Sequence, residues 1–201
     1  MPVNRLLIAT SNRGKMQELR ALLGDIDLAL VTPEEIGLRL VVMEDGRSYR
    51  ENAEKKAVAF ARTSGLPTLA DDSGLEVDVL GGDPGLHSAR YLAKPGATDA
   101  DRRAFLLRNL RDKPQPWKAH FRAAVAISSP NGTTGSAEGE CRGRIIPEER
   151  GTNGFGYDPI FLVDGMDKTM AELDPQDKNR LSHRGKAVVK ARPMLLQLVR
   201  E

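Results

Sequence analysis

Apolar and polar positions along this chain follow two periods, and the changes of period mark its elements. "RLLIAT" (5–10) is a short apolar run that stops at polar residues, which predicts a buried strand. "GKMQELRALLGD" then places Met16, Leu19, Leu22 and Leu23 on one helical face, with Gly24 near the stop. "LALVT" (28–32) predicts a second strand. "SYRENAEKKAVAFARTSG" is helical, with Ala53, Ala57, Phe60 and Ala61 along one side and Gly65 at its end. "PTLAD" and "LEVDVL" follow as two strands joined through an acidic serine–glycine segment.

The stretch "GGDPGLHSARYLAKPG" is dense in Gly and Pro and predicts a loop. "TDADRRAFLLRNLRD" predicts a capped helix burying Ala104, Phe105, Leu107 and Leu110. "HFRAAVAISSPNGTTGSAEGE" has the alternation of a hairpin, with "NG" as its turn. "GRIIP" and "PIFLV" are further short strands. "HRGKAVVKARPMLLQLV" is a closing helix that Pro193 should kink or divide. No fixed-period repeat or linker interrupts this order, which predicts an α/β protein with a mixed sheet in two lobes.

Composition narrows the function classes. The 201 residues suffice for one sizeable core. Thirty basic and 28 acidic residues leave a formal net charge of +2, so any cationic surface is local and a nucleic-acid-coating role is disfavoured. The single cysteine, Cys141, excludes an internal disulfide and a cysteine zinc cluster, and the three histidines are scattered. The apolar run Leu6–Ala9 is too short for a signal-peptide core or a membrane span, so a cytoplasmic location is expected.

Five stretches carry chemistry, and each has a plainer structural reading beside the functional one. "TSNRGK" (10–15) stands where a strand hands over to a helix. Unpaired N–H groups there attract anions, Ser11 and Asn12 can cap, and Lys15 adds charge; equally, it is an ordinary strand-to-helix turn. It is not a Walker loop, since Ala9 replaces the early glycine and Met16 follows the lysine. "LADDSGLEVD" (69–78) sets Asp71 and Asp72 side by side, with Glu44 and Glu51 upstream. Acids at a strand end suit Mg²⁺, which prefers oxygen ligands, and they also suit a polar turn. Neighbouring strand residues face opposite ways, so the two acids should differ in role.

"RGTNGFGYDPIF" (150–161) lets backbone approach a flat ligand closely, with Phe155 placed to stack, or forms a Gly-rich hairpin whose aromatics are core. "DKNRLSHRGKA" (177–187) groups Lys178, His183, Arg184 and Lys186 at a helix start, with Ser182 as a cap candidate. These side chains are donors for phosphate or keto oxygens, or a solvated basic face. "PGLHSARY" (84–91) offers Arg90 as a phosphate contact or an ion-pair partner.

Taken in series, "IATSNRGKMQEL", "YRENAEKKA", "LADDSGLEVDVLGGDPGLHSARY", "GTNGFGYDPIF", "AEL" and "DKNRLSHRGKA" resemble the inosine/xanthosine triphosphate pyrophosphatases, enzymes that remove non-standard purine nucleotides. The resemblance covers nearly the whole chain. It implies a long mixed central sheet with helices, and a single domain over 1–201 made of two lobes flanking an active-site cleft. It also implies a homodimer, dependence on Mg²⁺, and cleavage of dITP, ITP or XTP to the monophosphate and pyrophosphate. By the same likeness Thr10, Ser11, Asn12, Arg13, Gly14 and Lys15 would hold phosphates. Asp72 would be the proton acceptor and a metal ligand, Glu44 a second metal ligand, and Ser73 a substrate contact. Phe155, Gly156, Tyr157, Asp158, Lys178, His183 and Arg184 match nucleoside-binding positions. "MEDGRSYREN" is more polar than the family's usual run before the "ENA" motif.

These residues suggest hydrolysis between the α- and β-phosphates, with Asp72 or its bound water activating the attacking water, and Lys15 with Lys55 neutralising the leaving group. Base selection would rest on donors, from His183, Arg184 or backbone N–H, facing the 6-keto oxygen. Two donor–donor mismatches with adenine would give about 100-fold selectivity. Two other readings share parts of the pattern: a Maf-like pyrophosphatase of pyrimidine or modified nucleotides, and a nucleotide-binding regulator without catalysis.

Overall fold

The computed structural model describes residues 5–198. Six strands form one mixed sheet: β1 (Arg5–Ile8), β2 (Ala29–Val31), β3 (Thr68–Val77), β4 (Trp117–Ser128), β5 (Thr134–Ile145) and β6 (Phe161–Val163), in the order β2-β1-β3-β4-β5-β6. β1 runs parallel to both β2 and β3, with Leu6 opposite Leu30 and Leu7 opposite Thr68, while β5 and β6 are antiparallel. Five α-helices accompany the sheet: α1 (Arg13–Leu23), α2 (Tyr49–Ser64), α3 (Asp99–Leu110), α4 (Pro175–Leu181) and α5 (His183–Leu198). Among the described residues no helix is long and apolar enough to cross a membrane.

The chain packs as two compact units. One comprises 5–72, 123–139 and 184–198; the other comprises 73–122 and 140–183. The boundaries fall inside β3, β4 and β5 and after the first residue of α5.

In the first unit the strands are apolar on both faces because both are covered. Leu6, Ile8, Leu69, Val125 and Ile127 pack with Leu19 and Leu23 of α1 and Ala187, Val188 and Leu195 of α5. Their strand neighbours Leu7, Ala9, Ala70, Ala124 and Ala126 pack with Ala53, Ala57 and Phe60 of α2. The period of two therefore assigns alternate residues to opposite helical layers. The helices are punctuated as their sequences require. Asn12 caps α1, Ser48 caps α2, and Gly65 closes α2 in the left-handed conformation at φ 69°.

The second unit has a core of its own, built from Leu75, Val77, Leu106, Leu110, Trp117, Phe121, Tyr157, Phe161 and Met170. Here α3 is capped by the reciprocal Thr98–Asp101 pair.

Several expectations are corrected. "PTLAD" and "LEVDVL" are one uninterrupted ten-residue strand, not two joined by a turn. Asp71 and Asp72 can remain inside a buried strand because each meets compensating groups. "GRIIP" is the end of β5 and not a separate strand. α3 buries Leu106 and Leu110, while Ala104 is exposed and Phe105 sits edge-on to Tyr91 at 5.1 Å. The loop over 81–96 contains a 3₁₀ turn, Gly85–Arg90, whose Ser88 hydroxyl donates to the Gly85 carbonyl. α4 was not expected; Asp174 caps it and proline stands in its first turn. Pro193 does not divide α5. Val189, whose carbonyl loses its donor there, is on the exposed face where water can replace it.

Candidate active site

β3 explains the pair of acids. Continuing the alternation after Leu69 and Ala70, Asp71 faces the α1/α5 layer and Asp72 faces the α2 layer.

Asp71 is completely buried. Its Oδ2 accepts from Arg184 Nε at 3.0 Å and lies 3.3 Å from Lys15 Nζ. Arg184, itself 1% exposed, also binds Glu18 of α1 through Nη1. Burial opposes ionisation of Asp71, but the charges of Lys15 and Arg184 outweigh it, and the carboxyl is held well below the usual carboxylate range. The other oxygen, Oδ1, is buried without a hydrogen-bond partner among the described residues. The pKa of Lys15 is also lowered, which for an ammonium favours the neutral form. Its burial lowers the ammonium's pKa, and Asp71 offsets this only in part.

Asp72 is 7% exposed. Asn52 of α2 donates to its Oδ2 at 2.9 Å. Burial raises its pKa above the usual value, and the ammonium groups of Lys56 and Lys15 pull it back only in part, while the carboxylate of Glu44 adds to the rise. Glu44 is thus close enough to Asp72 for their charges to interact. Lys56 reaches Glu44 Oε1 and the Asp71 carbonyl, each at 2.6 Å.

The strand-to-helix turn completes this cluster. Asn12 Oδ1 accepts from Lys15 N at 3.1 Å, and Thr10 Oγ1 accepts from Asn12 N at 3.2 Å. Ser11 and Arg13 are exposed, and Gly14 lies in the first turn of α1. From this turn Lys15 brings its positive charge to Asp71.

Asp72 and Glu44 are hard oxygen donors. Among the described residues no group of three or more His, Cys, Asp and Glu side chains could hold a metal ion. A divalent cation here would therefore draw on two carboxylates and take its remaining ligands from water and phosphate, as Mg²⁺ commonly does. The donor set fits such an ion.

The second unit carries a separate cluster. Lys178 of α4 donates to Asp158 Oδ2 at 2.6 Å, and the same oxygen accepts from Phe155 N at 2.9 Å. The ammonium lies 5.2 Å from the centroid of the half-buried Phe155 ring. Gly154, at φ 78°, is required, since a Cβ there would meet Asp158 Oδ2 at 2.1 Å. His183 stacks on Phe121 with centroids 4.8 Å apart and planes 13° apart. Ser73 is half-buried in β3.

Not every expected residue stands ready to meet a ligand. Tyr157 is core: it is 5% exposed, and its hydroxyl donates to the Ser88 carbonyl at 2.9 Å. Arg184 spends its guanidinium on Asp71 and Glu18. The N–H groups of Asn153, Phe155, Gly156 and Asp158 all bond within the chain. Glu51 accepts from Arg47 N at the start of α2, and Arg90 and Lys186 are exposed. Lys55 is the wrong lysine of its pair, because it points outward to Asp45 while Lys56 reaches the acids.

Sequence reasoning missed Asn52, Lys56 and Glu18. A signal existed for the first two. They stand four residues apart on α2, beside the apolar face of Ala53, Ala57 and Phe60, where a polar residue needs a buried partner.

Comparison with known proteins places the chain in a family. The Ham1 family profile matches residues 6–194. The chain is 46% identical over 195 residues to a dITP/XTP pyrophosphatase of Desulforamulus reducens, covering 96% of each protein. It is 44% identical over 185 residues to a dITP/XTP pyrophosphatase of Thermus thermophilus, covering 92% of this chain and 88% of that one. Among solved structures it is similar to a HAM1 protein from Coxiella burnetii, with a TM-score of 0.85 and 38% identity over 96% of this chain and 98% of that one. The six-stranded mixed sheet, the full-length profile and the level of identity agree, and the chain belongs to the Ham1 family.

Proposed function

We propose that this protein hydrolyses non-standard purine nucleoside triphosphates (dITP, ITP and XTP) to the nucleoside monophosphate and pyrophosphate. One observation carries the reading: a buried carboxyl of raised pKa, Asp72, stands among Lys15, Lys56 and Asn52. Such a group is poised to take a proton where phosphates would be held. The relatives named dITP/XTP pyrophosphatase support the substrate class.

In this reading the first unit handles the triphosphate. Residues Thr10–Lys15 receive phosphate oxygens through N–H groups and the Lys15 ammonium. Asp72 accepts the proton of the attacking water, and the Asn52 amide, donating to its Oδ2, holds the carboxyl in place. Lys56, rather than Lys55, sets the charge on the acid side. Mg²⁺ at Asp72 and Glu44 would neutralise charge developing on the phosphate oxygens. Asp71 and Arg184 keep Lys15 in place and do not themselves meet the substrate.

The second unit handles the nucleoside. Phe155 stacks on the base, Lys178 and Asp158 hold that ring in place, and His183 supplies a donor for the 6-keto oxygen. A site built on donors disfavours adenine, whose 6-amino group is itself a donor. The whole chain acts as one pyrophosphatase domain, in the cytoplasm. Val41 and Met43, 90% and 72% exposed, support a homodimer. The test is pyrophosphate release from ITP, XTP, dITP, GTP and ATP, with and without EDTA. Release from the first three that EDTA abolishes is expected, and release from ATP alone would overturn the reading.

A further inference from the structure

Gly156 is gripped from α3 at both of its backbone polar groups. Its N–H donates to Asp99 Oδ2 at 2.8 Å, and its carbonyl accepts from Arg103 Nη1 at 2.9 Å. Asp99 and Arg103 are four residues apart and so share one helical face. Each is itself held. Arg102 donates to the second oxygen of Asp99, and Arg103 forks onto Glu149 through Nε and Nη2, both at 2.8 Å. The Thr98–Asp101 pair caps α3 without using Asp99, so the helix does not need Asp99 for its start.

This grip lies outside every motif that marks the family, yet it holds the centre of one. Residues 151–154 of the segment are exposed. Gly156 is at φ 62°, a conformation without side-chain support. From inside, Asp158 ties down Phe155 N. From α3, Asp99 and Arg103 tie down the next residue. Burial pushes the Asp99 carboxyl up, but the Arg102 hydrogen bond and the Gly156 N–H outweigh it, so the group stays ionised at neutral pH and its bond is charge-assisted.

We propose that Asp99 and Arg103 are positioning residues for base selectivity: by clamping both polar groups of Gly156 they fix the plane of the adjacent Phe155 ring. The proposal rests on the nucleoside role given to Phe155 above. A stacking ring free to tilt would still admit a purine, but it would no longer hold one edge of the base against fixed donors. Discrimination and KM should then suffer while the proton transfer at Asp72 is untouched.

The test uses the full chain carrying Asp99→Ala or Asp99→Asn, with steady-state kinetics on ITP and ATP, thermal unfolding, and amide exchange of Gly156 without nucleotide. In Asp99→Ala the Gly156 amide should exchange at least about tenfold faster, the loss expected for a charge-assisted hydrogen bond. KM for ITP should rise about tenfold with kcat changed less than about twofold, and the preference for ITP over ATP should fall by a similar factor. Asp99→Asn keeps an acceptor oxygen and should recover most of each effect. Unchanged KM and preference in Asp99→Ala, or a loss of kcat that tracks the melting temperature and is not recovered by Asp99→Asn, overturns the proposal. If the wild-type chain releases no pyrophosphate from ITP, the proposed function fails separately, and Gly156 exchange alone decides the clamp: acceleration sustains it, and an unchanged rate ends it.

Discussion

The two units use buried charge differently. In the first, seven ionisable side chains are tied together across both faces of one strand: Asp71 with Lys15, Arg184 and Glu18 on one side, and Asp72 with Lys56 and Glu44 on the other. In the second, the buried pair Lys178 and Asp158 is set against the Phe155 ring, and the charges of Asp99 and Arg103, held by Arg102 and Glu149, act on the backbone at Gly156. A network like the first costs desolvation energy that packing alone would not require. It makes sense where a substrate brings several negative charges and a proton must be moved. A buried pair beside a ring suits recognition of a flat, nearly neutral base.

This contrast can be broken by experiment. The largest effect should come from Asp72→Asn. Removing a general base should lower kcat for pyrophosphate release about 10³-fold, with the melting temperature little changed. Near-normal turnover would remove the first unit from the chemistry.

Next in size is Asp71→Asn, which leaves Arg184 buried beside only half its compensation. A loss of about 3–5 kcal/mol in denaturant unfolding is expected. The same carboxyl sets a pH dependence. Its folded pKa lies below its unfolded one, so its contribution is complete above about pH 4 and is lost as pH falls toward the folded value. Acid titration of stability should be shallower in Asp71→Asn than in the wild type, and identical curves would show that folding does not lower the Asp71 pKa.

Glu44→Gln should act on the cation rather than on the base. The Mg²⁺ concentration for half-maximal activity should rise at least about tenfold, with kcat at saturating Mg²⁺ nearer the wild type. An unaltered Mg²⁺ titration would exclude Glu44 as a ligand.

The smallest change separates the units most sharply. Phe155→Ala should raise KM for ITP about tenfold, the loss of one base–aromatic stack, and leave kcat nearly unchanged. A fall in kcat instead would mean that the second unit takes part in the chemical step.

Much of the fold was legible because its signals are local. The runs at 5–10 and 28–32, the helical face of Met16 to Leu23, and the "NG" hairpin all appear where expected. Where reading failed, a non-local partner had decided the outcome. Asp71 to Gly74 looked like a turn because adjacent acids are unfavourable in a buried strand, and partners distant in sequence, Arg184 and Lys15 for Asp71 and Asn52 and Lys56 for Asp72, make them tolerable. The face of α3 was misjudged because the apolar core of its unit selects Leu106 and Leu110 over Ala104. Lys55 and Lys56 are equivalent in composition, and helix phase against β3 separates them.

Periodicity, punctuation and the order of motifs determine from sequence the α/β class, most of the elements and the family, because each depends on residues close together in the chain. Tertiary structure alone decided which acid of the pair is clamped by Arg184 and which is raised in pKa beside Lys56. It also decided that Arg184 and Tyr157 are committed to the interior and that α3 holds Gly156. The reason is physical: a charge or a hydrogen bond takes its value from whatever lies within a few ångströms, and in a folded chain those neighbours come from anywhere in the sequence.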